Sequence, residues 1–187
     1  MVLLVIVDDA DILWADAPGP MDAAWRLFMA AASRIVQVHR GYGVEWRAHT
    51  FAGAFPRDAA LDAVVAAVAL QNELISLPWP EALLGHTAAA AVPVEMTRGD
   101  PRLTHDAVGY VWRGLRIRVA VDTNVLPDRL DVERLLVPSI DEVLEVAEAT
   151  AEAIRPGQVV ASAEVVSLLP SPVPSPLESR KERTRTS

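Results

Sequence analysis

The chain opens on Met-Val-Leu-Leu-Val-Ile-Val and turns at once to Asp8 and Asp9. The six aliphatic residues from Val2 to Val7 have no polar side to offer water. A strand built from them therefore needs cover on both faces. That is the tightest constraint in the sequence, because it places the strand inside a sheet with other elements packed above and below it. The run lacks a basic leader and is bounded by acids, so it reads as a strand and not as a signal peptide. The longest later apolar stretch, Ala63 to Leu70, is far short of the roughly 20 residues a membrane span needs.

Downstream patterning supplies the cover. After Ala-Pro-Gly-Pro, apolar residues recur at Met21, Ala24, Trp25, Phe28, Ala32, Ile35 and Val36, the spacing of one helical stripe, with Pro20 in the first turn and Gly41 at the end. Val44 to Arg47 and Thr50 to Phe55 form the arms of a hairpin turning near Ala48 and His49. Asp58 caps a second helix that carries Leu61, Val64, Val65, Val68 and Ile75 on one side and stops before Pro78. Residues 78–111 have no clear period and read as a long excursion ordered by Trp79 and Trp112. Leu115 to Val121 alternates as a half-buried strand, with Arg116 and Arg118 on its solvent side. Ser139 and Glu142 form a capping box for a third long helix. Gly157 closes that helix, Gln158 to Ala161 is a strand, and Ser162 caps a short last helix. The order strand, helix, hairpin, helix, strand, helix, strand predicts an α/β (α+β) fold, a ferredoxin-like mixed sheet with covering helices.

Composition narrows the chemistry. The chain has 187 residues, enough for one domain, and no cysteine, which excludes disulfides, a thiolate nucleophile and cysteine-ligated metals. Of its 17 basic and 25 acidic residues, four and one respectively lie in 180–187, which leaves 13 against 24 before that segment. Such an acidic body repels nucleic acid. Lys181 is the only lysine, so cationic roles in the fold fall to arginine. Residues 1–169 read as one domain and residues 170–187, Pro-rich and then basic, as a disordered tail.

Four segments taken together carry a family resemblance: Ile12-Leu-Trp14 with Ala-Asp-Ala-Pro-Gly-Pro-Met21, the hairpin from Gly41-Tyr42 to Phe55, Trp112-Arg-Gly-Leu-Arg-Ile-Arg-Val119, and Ala147 to Val160 with its Pro-Gly-Gln-Val. In this order they resemble the class III nucleotidyl cyclase catalytic domain, most of all that of the trypanosome receptor-type adenylate cyclases.

The resemblance implies a chemistry and, position by position, its loss. Family members hold two magnesium ions with an aspartate near the end of the first strand and another at the hairpin tip, because a cyclising triphosphate needs its charge neutralised. Those positions fall on Ile6 and His49. The base-reading lysine of adenylate cyclases falls on Glu45, and the second base-reading group falls near Pro138. The transition-state asparagine and arginine fall on Glu145 and Ala149. Losing one such donor typically costs about 100-fold to 1000-fold in rate, and a carboxylate at Glu145 repels a triphosphate.

The remaining residues weigh less. Asp8, Asp9, Asp11 and Asp16 read as a solvated acidic loop, with Asp8 and His49 the weak candidates for a residual metal site. Glu45 matches the base-reading glutamate of guanylate cyclases, and also suits the exposed face of a strand. Trp25 reads as core, and Trp46 as an interface anchor or as part of the core. His39, His86 and His105 share no spacing that makes a site.

Class III domains pair head to tail, so the resemblance implies a dimerising protein. The expectation is an intracellular, soluble pseudo-cyclase, cytoplasmic or flagellar, with no cofactor and no metal. It would be a structural or regulatory partner in a homodimer, a cyclase heterodimer or a large assembly. The alternatives are the non-catalytic half of a heterodimer that makes a cyclic nucleotide from ATP or GTP, and a nucleotide-binding module without catalysis.

Overall fold

The aliphatic run forms β1 (Val2–Val7), the middle strand of a five-stranded sheet. This computed structural model describes residues 1–47, 49–93, 110–123 and 139–170. Along the chain β1 is followed by α1 (Ala10–Asp16), α2 (Pro18–Val38), β2 (Tyr42–Arg47), β3 (Thr50–Ala54), α3 (Ala60–Ser76), α4 (Glu81–Leu84), β4 (Val92–Pro93), β5 (Tyr110–Trp112), β6 (Ile117–Asp122), α5 (Ser139–Glu152), β7 (Val159–Ala161) and α6 (Ala163–Leu168). The sheet runs β2-β3-β1-β6-β7; the first three pairings are antiparallel and β6–β7 is parallel. The mixed sheet with covering helices is the expected fold class.

Both faces of β1 are covered, as its sequence requires. Leu3, Val5 and Val7 enter the main core beside Met21, Phe28 and Leu70 from α2 and α3. Leu4 points the other way, into a smaller cluster with Ala52 of β3 and Ala147 of α5. β6 is buried on both faces over its second half, with Val119, Ala120 and Val121 at most 1% exposed. That corrects the expected half-buried strand, because α5 lies against the face assigned to solvent.

α2 starts at Pro18, which puts Pro20 in its first turn as expected. Its end is turned by Arg40 in the left-handed region at φ 65°, and the amides of Arg40 and Gly41 reach back to Gln37 and Val36 at 3.1 and 2.8 Å. Gly41 follows because a Cβ there would lie 2.6 Å from both Phe55 and Val36.

α3 departs from its predicted face. It buries Ala60, Ala63, Ala66, Ala67, Leu70 and Leu74, while Leu61, Val65 and Val68 are 50%, 41% and 47% exposed. The helix carries two apolar stripes, and the alanine-rich one lets α3 approach α2 and the sheet most closely.

In the described part of the chain after α3, two tryptophans rest on glycines. Trp79 is buried, its indole N–H donates to Leu74 O at 2.7 Å, and its ring covers Gly114. Trp112, on β5, covers Gly157. Both glycines have φ 82°. β4 and β5 pair as a separate two-stranded sheet. The expected tail beyond residue 170 lies outside the described residues, as do Ala48, His105 and Pro138.

Candidate functional site

The end of β1 and the tip of the β2–β3 hairpin meet. Val7 N–H donates to His49 O at 3.2 Å, and Asp8 N–H donates to Arg116 O at 2.8 Å, which carries the β1–β6 ladder one residue past the strand. The expected acidic loop is a helix: Asp9 takes the left-handed conformation at φ 52°, and α1 follows, anchored by fully buried Leu13. Ala10, Leu13 and Trp14 sit three and four apart, a pattern that outweighs the aspartates around it.

Each of three aspartates meets a cation or a histidine. Arg118 Nη2 donates to Asp8 Oδ1 at 2.7 Å, with side chains 20% and 19% exposed. Its Nη1 donates to Glu152 O at the end of α5 at 3.2 Å. Arg118 is therefore a clamp between β1 and α5, which corrects its assignment to the solvent face. Its register partner Ile6 packs on the Leu4–Ala52–Ala147 cluster. Arg116 Nη2 lies 3.4 Å from Thr87 O, in the excursion.

His49 has φ 70°, and its Nε2 lies 3.2 Å from Asp11 Oδ1. The ring centroid is 5.9 Å from that of Trp14 and 6.4 Å from that of Trp25, which stands edge-on to it. Trp25 is partly buried and packs against the core, touching Phe28 at 5.2 Å. Asp11 is 95% exposed, so its pairing with His49 is worth little in energy. His86 Nε2 is 3.3 Å from Asp16 Oδ2 while its Nδ1 accepts the Ala88 N–H at 3.2 Å. That fixes the proton of the neutral ring on Nε2, where it donates to the carboxylate. Sequence spacing missed this pair because its members are 70 positions apart.

Glu145 and Ala149 are exposed one turn apart on α5. Glu45 and Trp46 lie on β2, the edge strand of the sheet, with Glu45 opposite Phe51 in register and Trp46 at the irregularity between Glu45 and Arg47.

No family model and no curated protein matches this chain. Solved structures do. An adenylate cyclase from Trypanosoma brucei in its monomeric state aligns with a TM-score of 0.60 at 18% identity, over 97% of this chain and 76% of its own. A second such structure gives 0.62 at 19%, over 97% and 78%. The guanylate cyclase domain of RhGC from Catenaria anguillulae, in complex with GTP, gives 0.58 at 11%, over 91% and 81%. The fold is that of the class III nucleotidyl cyclase catalytic domain.

The family resemblance implies two magnesium ions, and the described residues at the end of β1 and at the hairpin do not fit them. Magnesium wants hard oxygen donors in octahedral array. The carboxylate next to the end of β1, that of Asp8, is engaged by Arg118, and the hairpin tip offers an imidazole. Among the described residues no three of His, Cys, Asp and Glu gather closely enough to hold a metal ion. Among them, too, no helix is long and apolar enough to cross a membrane.

Proposed function

We propose that this chain is a catalytically inactive, cyclase-like domain acting as a structural or regulatory protein partner, either of an active cyclase or within a large assembly such as a flagellum. The observation that carries this reading is the Asp8–Arg118 pair at 2.7 Å. The family's ligand position falls on Ile6, and a guanidinium occupies Asp8, the candidate carboxylate two residues on, so neither is left to the divalent ion whose work is to neutralise the triphosphate. His49 at the hairpin tip, with Glu145 and Ala149 at the transition-state positions, agrees with it. The flagellar setting follows the trypanosome likeness alone.

A second reading, half of a working heterodimer, is favoured by the exposure of Glu145 and Ala149 on α5, where a partner that brings its own ligands would meet them. Isolation of the tagged chain from its own cells, followed by cyclase assay of whatever co-purifies, separates the two. A partner without cyclase activity, or an active cyclase whose turnover survives Glu145→Ala, supports the structural or regulatory role. A complex whose turnover collapses on Glu145→Ala supports the heterodimer.

A further inference from the structure

A groove runs between the C-terminal half of α3 and β5. Ile75 on one side and Val111 and Trp112 on the other wall a channel of about 280 Å³, and Gln71, Asn72 and Arg113 stand along it. The Trp112 wall is set in place, because its ring rests on Gly157, where any Cβ would collide with it. Two of the polar groups are already used. Gln71 Nε2 donates to Ile117 O at 3.2 Å, and Arg113 Nη1 donates to Leu77 O at 2.6 Å. The Asn72 amide and the Trp112 indole N–H have no hydrogen-bond partner among the described residues. An apolar segment with open carbonyl groups suits such a groove.

The chain carries one. Pro170, Pro172, Pro174 and Pro176 remove every second amide N–H of the segment and hold φ near the polyproline II value. A polyproline II helix has three residues per turn and leaves its carbonyls unbonded. At that period Pro170, Val173 and Pro176 share one edge, Ser171, Pro174 and Leu177 a second, and Pro172, Ser175 and Glu178 the third. The first edge is wholly apolar, and a tryptophan-walled groove receives such an edge.

Reach and charge favour this occupant over a foreign one. α6 folds back from β7 onto α3 and β6, with Val165 buried in the main core, and Pro170 follows two residues after it. From Ala60 to Asn72 is about 18 Å along α3, and from Pro170 to Pro176 is about 19 Å in polyproline II. The segment therefore reaches the groove wherever along α3 the short helix rests. Being tethered, it is present at roughly millimolar effective concentration. Residues 180–187 then bring four basic groups to a chain with 13 basic against 24 acidic residues before them, an attraction that holds the segment to its own body.

We propose that residues 170–177 bind back into this groove as a polyproline II strap, with Val173 and Pro176 against Ile75, Val111 and Trp112, and with carbonyls of the segment accepting from Asn72 and the Trp112 indole. The strap forms whether or not the chain is catalytic.

The chain contains no cysteine, so a pair of introduced thiols is an unambiguous probe. At low micromolar concentration and under mild oxidation, Asn72→Cys/Ser175→Cys should close an intramolecular disulfide at least ~10-fold faster than Ala30→Cys/Ser175→Cys, whose first thiol is exposed on α2. Adding Val173→Asp and Pro176→Asp should bring the faster rate down to the slower, with an unchanged circular dichroism spectrum. With Asn72 intact, the indole N–H resonance of Trp112, assigned through Trp112→Phe, should shift between the wild type and Val173→Asp/Pro176→Asp. Closure that ignores the aspartates, a disulfide formed between chains instead of within one, or a Trp112 resonance that stays in place each overturns the strap. Equal rates for the two thiol pairs overturn it too, and would leave the groove to a proline-rich peptide of another protein.

Discussion

Arg118 holds Asp8 at 2.7 Å across 110 residues of sequence, and its second nitrogen reaches the end of α5. The pair ties the end of β1 to β6 and α5, and on the proposed reading the same contact withholds Asp8 from a divalent ion. A half-buried, hydrogen-bonded charge pair contributes most visibly when one partner is removed, because the other is left unmatched.

Arg118→Ala should therefore destabilise the protein by about 1–3 kcal/mol. The matching Asp8→Ala should be less than additive with it, by about 1 kcal/mol or more. Urea unfolding of the two single variants and the double variant measures the coupling. Full additivity would mean that the contact carries no stability.

Divalent ions should leave the wild type unmoved. Anything that binds only the folded state at 100 times its Kd adds about 2.7 kcal/mol, which a melting curve registers easily. With magnesium or manganese raised to about 10 mM, the melting temperature should stay within about 1 °C of the metal-free value. A rise of several degrees that Asp8→Ala abolishes would show that Asp8 leaves Arg118 for an ion.

The two stripes of α3 should differ sharply in energy. Leu70 is 1% exposed, and Leu70→Ala should cost about 2–4 kcal/mol. Val65, 41% exposed, should cost under about 0.5 kcal/mol as Ala when measured at concentrations where the chain is monomeric. The reverse order would put the valine stripe in the core.

Gly157 tests the link between β5 and β7. A Cβ there runs into the Trp112 ring, and the backbone sits at φ 82°. Gly157→Ala should lose about 2–4 kcal/mol from strain and overpacking together. A near-neutral result in chemical denaturation would show that the tryptophan moves aside freely.

Much of this architecture was legible in the chain. The Val2–Val7 run announced a central strand because six aliphatic residues leave no alternative. The hairpin, the Ile117–Asp122 strand and the helix from Ser139 followed from alternation and capping. What patterning could not settle was a choice between equals. α3 is apolar on two sides, and only the closeness of α2 and the sheet selects alanine over valine. α1 was hidden because its aspartates mask the Ala10–Leu13–Trp14 spacing. Arg118 alternates with apolar residues as a solvent-facing side chain would, and only α5 folding over that face converts it into a partner for Asp8. The likeness to a cyclase was readable from ordered segments, while the Asp8–Arg118 contact needed the third dimension.

The most direct measurement of the central claim is nucleotide turnover by the purified chain alone, with ATP and with GTP in manganese. Formation of cyclic AMP and cyclic GMP should match the rate without protein, and it should stay there in His49→Asp, because Arg118 still holds Asp8. Cyclic nucleotide made by the wild type above that background, and lost in Asp8→Ala, would contradict the account.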